Sequence, residues 1–152
     1  MMKVIVAIAA LAALAGCASA QRTLTYPATW PDADVRVGTH RYQVWFHQSD
    51  PTILLQRGEP RQLGQLLAQN VTVYAADRSE PEIVWRAAAD AVLQQLGCQA
   101  GEITGADQMR EATYSCVPGV NVAEGVAQRR EQWRQGVRVD DPREVRTTAP
   151  EW

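Results

Sequence analysis

Residues 39–47 alternate so regularly that few folds accommodate them. Tyr42, Val44 and Phe46 fall on one side, Arg41, Gln43, Trp45 and His47 on the other, which is the period of a half-buried strand. Ser49-Asp50-Pro51-Thr52 supplies turn residues. Ile53-Leu54-Leu55-Gln56-Arg57 then returns as the second arm of a hairpin, ended by Gly58 and Pro60. The Tyr42/Val44/Phe46 side needs a cover, and the best-marked helix of the chain provides one. Ser79-Glu80-Pro81-Glu82 has the capping-box pattern with proline in the first turn, and Gly97 stands where a left-handed C-cap is expected. Between them Val84, Trp85, Ala88, Val92 and Leu96 cover a broad apolar face opposite a polar stripe of Arg86, Asp90 and Gln94.

Weaker signals extend this framework. Leu63, Leu66 and Leu67 have helical spacing, and Val71–Ala75 predicts a further strand. Glu102–Gly105 and Ala112–Val117 are expected to pair around Ala106-Asp107. Residues 122–137 place Val122, Val126, Arg130, Trp133 and Val137 near one helical stripe, which Gly125 and several arginines weaken. From Arg138 onward, charge and prolines predict a loose tail. The expected fold is α+β in two layers, a mostly antiparallel sheet of roughly three to five strands with the Ser79–Leu96 helix across one face.

The start of the chain has a different character. Met1-Met2-Lys3 is a short basic opening, and Val4–Leu14 is an apolar run long enough for an export signal but too short to span a bilayer. It ends in Leu14-Ala15-Gly16-Cys17, which resembles the lipobox of bacterial lipoproteins. The resemblance covers the leader only; residues 35 onward are assigned to no family. It implies cleavage before Cys17 and lipid on its sulfur, with more than one acyl chain for stable anchoring in the bilayer. Ala18 after the cysteine resembles the signal for passage to the outer membrane, which sets the expected location at its periplasmic face. An ordinary secretory cut after Ala18-Ser19-Ala20 is the alternative, but Cys17 stands where a lipobox requires it. The expected organisation is a signal peptide over 1–16, a tether over 17–34 carrying Tyr26-Pro27 and Trp30-Pro31, an α+β domain over 35–120, and a weak helix with a charged tail over 121–152.

With Cys17 assigned to lipid, Cys98 and Cys116 remain as an even pair in an oxidising compartment, and a disulfide between them is the economical expectation. Closing a loop of that length removes roughly 3 kcal/mol of unfolded-state freedom. A metal site or redox pair is the alternative, but C-x-x-C is absent and neither cysteine has a histidine nearby in sequence.

A net charge of -2 excludes a general nucleic-acid binder. Lys3 is the single lysine, so all basic charge beyond the leader is arginine. The portable nucleophile-elbow, phosphate-loop, zinc-protease and dinucleotide motifs do not occur, and no cofactor is expected. His47, Ser49 and Asp50 are residue types of a nucleophilic triad, yet three groups within one turn mostly point apart, and turn formation explains them more simply. His40 and His47 are separated by an odd number of positions on one strand, on opposite faces, so no metal site is expected there.

Five tryptophans against one phenylalanine favour sites where an apolar ring meets a polar partner. Trp85 belongs to the expected core. Trp45, with Arg41, Gln43 and His47, occupies the strand face turned away from the helix, a candidate binding face for a protein or glycan unless the 122–137 segment covers it. The expected function is a membrane-anchored envelope lipoprotein acting as a non-catalytic structural or interaction module. A small periplasmic hydrolase or cell-wall-modifying enzyme using His47 and Asp50, and a glycan-binding module centred on Trp45, are the alternatives.

Overall fold

The hairpin read from residues 39–57 is the centre of the sheet. In a computed structural model of the protein, which describes residues 22–65, 81–106 and 108–143, β1 (Ala33–Val37), β2 (His40–Phe46) and β3 (Thr52–Arg57) run antiparallel in succession. After α1 (Glu82–Leu93), β4 (Cys98–Ala106) and β5 (Met109–Cys116) form a second hairpin, then α2 (Val122–Gln135) leads into β6 (Val137–Val139). Among the described residues the sheet has six strands in the order β4-β5-β3-β2-β1-β6, and β6 is parallel to β1 while all other pairings are antiparallel. The α+β class holds.

The sheet is larger than the alternation of residues 39–57 implies because residues 33–37 and 137–139 also join it. Ala33, Val35 and Val37 alternate with Asp34 and Arg36, a strand signal that Pro27 and Pro31 obscure. The reading of 17–34 as a tether therefore fails for residues 22–34, which belong to the folded body. Likewise Arg138 does not open a loose tail: residues 137–139 pair with residues 35–37 as a short edge strand. A short edge is also a poor template for pairing with other chains.

The alternation works as expected on the helical side. Tyr42, Val44 and Phe46 join Val35, Ile53, Leu55 and Ala112 under Trp85, Ala88, Val92 and Leu93 of α1, with Val126 and Trp133 of α2 beside them. Trp85 is fully buried and meets Tyr42 edge-on at 4.8 Å between centroids. After Leu93 the helix tightens into a 3-10 turn, Gln94–Leu96, and ends on Gly97 at φ 78°, the left-handed position that favours glycine. Ser79 and Glu80 of the capping box, Leu66, Leu67 and the expected strand at 71–75 lie outside the described residues. The polar stripe of α1 serves the sheet rather than solvent alone. Asp90, 6% exposed, accepts from the Ala100 amide at 2.7 Å, and Arg86 donates to the Ala100 carbonyl at 3.1 Å. Those contacts pin edge strand β4 where its ladder with β5 shifts between Ala100 and Ile103.

Gly125 weakens the helical pattern for a packing reason. A Cβ there would stand 2.6 Å from Leu96 Cδ2, so glycine lets α2 approach the end of α1. Asn121 caps α2 by accepting from the Glu124 amide at 3.2 Å.

Candidate functional site

The face of β2 that carries Arg41, Gln43, Trp45 and His47 is not open. Trp45 and Gln43 are each 0% exposed, so these residues do not form an exposed binding platform. The 122–137 segment is not the cover, because α2 packs on the other side of the sheet. Residues 22–34 wrap this face instead, placing Tyr26 with Trp45, Leu54 and Leu63 in a second apolar cluster against which Met109 packs. The Trp45 indole donates to the Thr29 carbonyl at 3.0 Å, giving the ring both apolar cover and a satisfied N–H. Farther along the strand the polar residues pair within the sheet. Asp34, opposite Gln43 in register, accepts from Gln43 Nε2 at 3.0 Å and from Arg41 Nη2 at 2.6 Å. Arg41 also pairs with Glu59. The Asp34 bond above all holds the Arg41 guanidinium well above its ordinary pKa.

The wrapping segment is fastened at its start. Arg22 donates to Asp50 at 2.6 Å, to Glu111 Oε2 at 3.0 Å and to Thr52 Oγ1 at 3.0 Å. The Tyr26 hydroxyl lies 2.8 Å from Thr52 Oγ1 and donates to Glu111 at 2.7 Å. Burial pushes the Tyr26 hydroxyl pKa well up, so it stays protonated as a donor. The Arg22 bond pulls the Asp50 carboxyl below the usual carboxylate range.

His47, Ser49 and Asp50 are close together but arranged as a turn brace. The amides of Asp50 and Ser49 point at His47 Nδ1, at 2.9 and 3.3 Å, and His47 Nε2 stands 2.9 Å from Thr25 Oγ1. With Nδ1 accepting from backbone, the ring holds its proton on Nε2 and donates to Thr25. Asp50 meanwhile faces Arg22. His40 begins β2 on the opposite face. Among the described residues no three His, Cys, Asp or Glu side chains are grouped so as to hold a metal ion.

Among the described residues a concave surface lies on the helical side, where sequence patterning did not place a site. A cleft of about 760 Å³ opens between the 47–51 turn and α2. Phe46 and Tyr114 form part of its lining, with rings 6.2 Å apart, and Trp133 stacks on Phe46 at 6.0 Å. Val122, Val126, Arg130 and Arg134 form the α2 wall at four-residue spacing. Arg130 Nε donates to Asp32 at 2.7 Å and Arg134 Nε to the Pro31 carbonyl at 2.9 Å. These bonds fix each guanidinium by one edge and leave donor capacity on the terminal nitrogens. Asp32 is itself held, accepting from the Phe46 amide at 2.9 Å. Burial raises the Tyr114 hydroxyl pKa. The signal for this wall was the same stripe whose arginines weakened the helix pattern; with α2 on the sheet, its arginines stand at the rim.

Cys98 and Cys116 face each other in the β4–β5 register, with Cα atoms 3.9 Å apart and sulfurs at disulfide distance. Cys116 also lines the cleft. Cys17 and the whole leader lie outside the described residues, and among the described residues no helix is long and apolar enough to cross a membrane. Comparison with protein-family models, curated proteins and solved structures found no match to this chain.

Proposed function

We propose that this chain is a bacterial envelope lipoprotein, cleaved before Cys17 and acylated on that sulfur. Its folded part works as a non-catalytic interaction module at the periplasmic face of the outer membrane. The anchor rests on Leu14-Ala15-Gly16-Cys17 at the end of the apolar run. The cleft between the 47–51 turn and α2 is the surface that meets the partner.

The observation that carries the interaction half is the commitment of the cleft's ionisable groups. Both His47 nitrogens, Asp50 and Asp32 are engaged in bonds that hold the wrapping segment, the turn and α2 together. The apolar lining comes from part-buried Tyr114 and Val122 over buried Phe46 and Val126, with arginine donors at the rim. Aromatic and arginine side chains are the types that anchor protein interfaces.

The test has three arms. Cys17→Ser is expected to abolish incorporation of labelled fatty acid and shift the protein out of the detergent-extracted membrane fraction; unchanged retention removes the anchor. A photo-crosslinking residue at Ala123, exposed on the cleft wall, is expected to capture discrete partners in intact cells, whereas the same residue at Gln132, exposed and outside the cleft lining, is not. Equal patterns from both positions refute the cleft as the interaction surface. Turnover of cell-wall fragments by the acyl-free protein, lost in His47→Ala, replaces the module with the hydrolase.

A further inference from the structure

Among the described residues the exposed large hydrophobic side chains are Leu24, 68% exposed, and Trp30, 49% exposed. Both belong to the segment that wraps the sheet, and both are held out by a pinned backbone. Leu24 sits within a turn closed by Thr25 N–H to the Arg22 carbonyl at 3.1 Å and Tyr26 N–H to the Thr23 carbonyl at 3.2 Å. Its neighbours Thr23 and Tyr26 point inward, at 9% and 4% exposure. Trp30 lies between two fixed peptides. The Thr29 carbonyl accepts from Trp45 and from the Leu63 amide, and the Pro31 carbonyl accepts from Arg134. The next residue, Asp32, holds Arg130. An indole is thus presented beside two arginines whose side chains are 38–40% exposed.

Chain length places this surface. Four residues separate Cys17 from Arg22, and Arg22 is fastened to the sheet by Asp50 and Glu111. Five Cα steps span at most about 18 Å, so a lipid-bearing Cys17 keeps Arg22 within that distance of the bilayer. The wrapping segment is held within reach of the headgroup layer. A tryptophan with its N–H, an exposed leucine and arginine donors are the chemistry that such a layer accepts, the arginines meeting anionic phosphates.

Building on the lipoprotein assignment, we propose that Leu24 and Trp30 seat the domain on the surface of the leaflet that holds its own anchor, with Arg130 and Arg134 against anionic headgroups. The protein is therefore not a module on a flexible stalk. Its wrapping segment is a membrane-facing surface that adjoins the partner cleft, whose lining Pro27, Thr29, Arg130 and Arg134 also share, so the cleft opens beside the leaflet.

The test uses the full-length gene product expressed in a diderm host, extracted in detergent and reconstituted into phosphatidylethanolamine and phosphatidylglycerol vesicles. Brominated acyl chains near the interface act as the quencher. Intact mass reports acylation independently. Trp45, Trp85 and Trp133 are at most 1% exposed, and Trp152 is replaced by Phe in every sample, so comparison with Trp30→Phe isolates the signal of Trp30. Seating is expected to give a bromolipid-dependent quench that falls at least twofold in Trp30→Phe. It is also expected to weaken in Leu24→Ser and in vesicles lacking phosphatidylglycerol. Circular dichroism of both variants checks that the fold is kept. An acylated protein with no quench, or with a quench unchanged in Trp30→Phe, overturns the seating and leaves the lipoprotein assignment standing. A protein without acyl mass overturns the assignment and the seating with it.

Discussion

Replacing Trp45 with alanine separates a buried ring from a recognition platform. The indole is 0% exposed, packed with Tyr26, Leu54 and Leu63, and donates to Thr29 at 3.0 Å. Truncating a buried tryptophan costs about 3–5 kcal/mol through the cavity it leaves, and the lost hydrogen bond adds about 1 kcal/mol. The Thr29 carbonyl keeps the Leu63 amide at 3.3 Å, so no acceptor is orphaned and the sum is about 4–6 kcal/mol. Against a typical total of about 5–15 kcal/mol this is about a quarter of the stability or more. Phe46→Ala, at 6% exposure between Trp133 and Tyr114, is expected to cost a comparable amount. Trp30→Ala, at a half-exposed position, should cost under about 1 kcal/mol. Urea unfolding followed by far-ultraviolet circular dichroism measures all three, with midpoint and slope fitted separately. Because Trp45 holds the wrapping segment, limited proteolysis should also find earlier cleavage near residues 22–34 in Trp45→Ala than in Phe46→Ala. A loss below about 1 kcal/mol in Trp45→Ala, with an unchanged slope, refutes the packing of this segment on the sheet.

Three other outcomes follow from the same geometry. Cys98 and Cys116 should resist alkylation until reduced, and Cys98→Ser with Cys116→Ser should lower stability by roughly 3 kcal/mol; free thiols in freshly isolated protein refute the bond. Asp50 titrates lower in the folded protein than in the unfolded chain because of Arg22. Its contribution is complete above the unfolded pKa and is lost as pH falls through the folded one. The stability difference between wild type and Arg22→Ala should therefore shrink below about pH 4, and a constant difference down to about pH 2 is the contrary result. Asp90→Asn keeps the size but replaces the charged acceptor of the Ala100 amide, so amide exchange should accelerate in β4 more than in β2; equal change in both strands counts against the pinning of that edge.

Half of this fold was legible because its period is local. The alternation over 39–47, the turn at 49–52 and the apolar face of α1 each depend on neighbours a few residues away, and they predicted β2, β3, the helix and its Gly97 end. The Cys98–Cys116 pair was legible by counting, once Cys17 was set aside. Gly125 looked like a defect in a helix until Leu96 stood beside it. The cleft could not be assembled from spacing, since its walls come from residues 27–32, 46–51, 114–116 and 122–134.

The face of a strand is set by sequence, but what covers that face is not. Residue order alone put Trp45, Gln43 and Arg41 opposite Phe46, and the structure keeps them there. Whether that face met solvent was decided by contacts distant in sequence: Tyr26 on Trp45, Asp34 under Arg41, and Arg22 reaching Glu111 across 89 positions. A segment with two prolines and no periodicity carries no local signal for such a role. It takes its conformation from a sheet that already exists, because burying Trp45 and Leu54 and pairing the Arg22 guanidinium with Asp50 and Glu111 are gains available only on that surface.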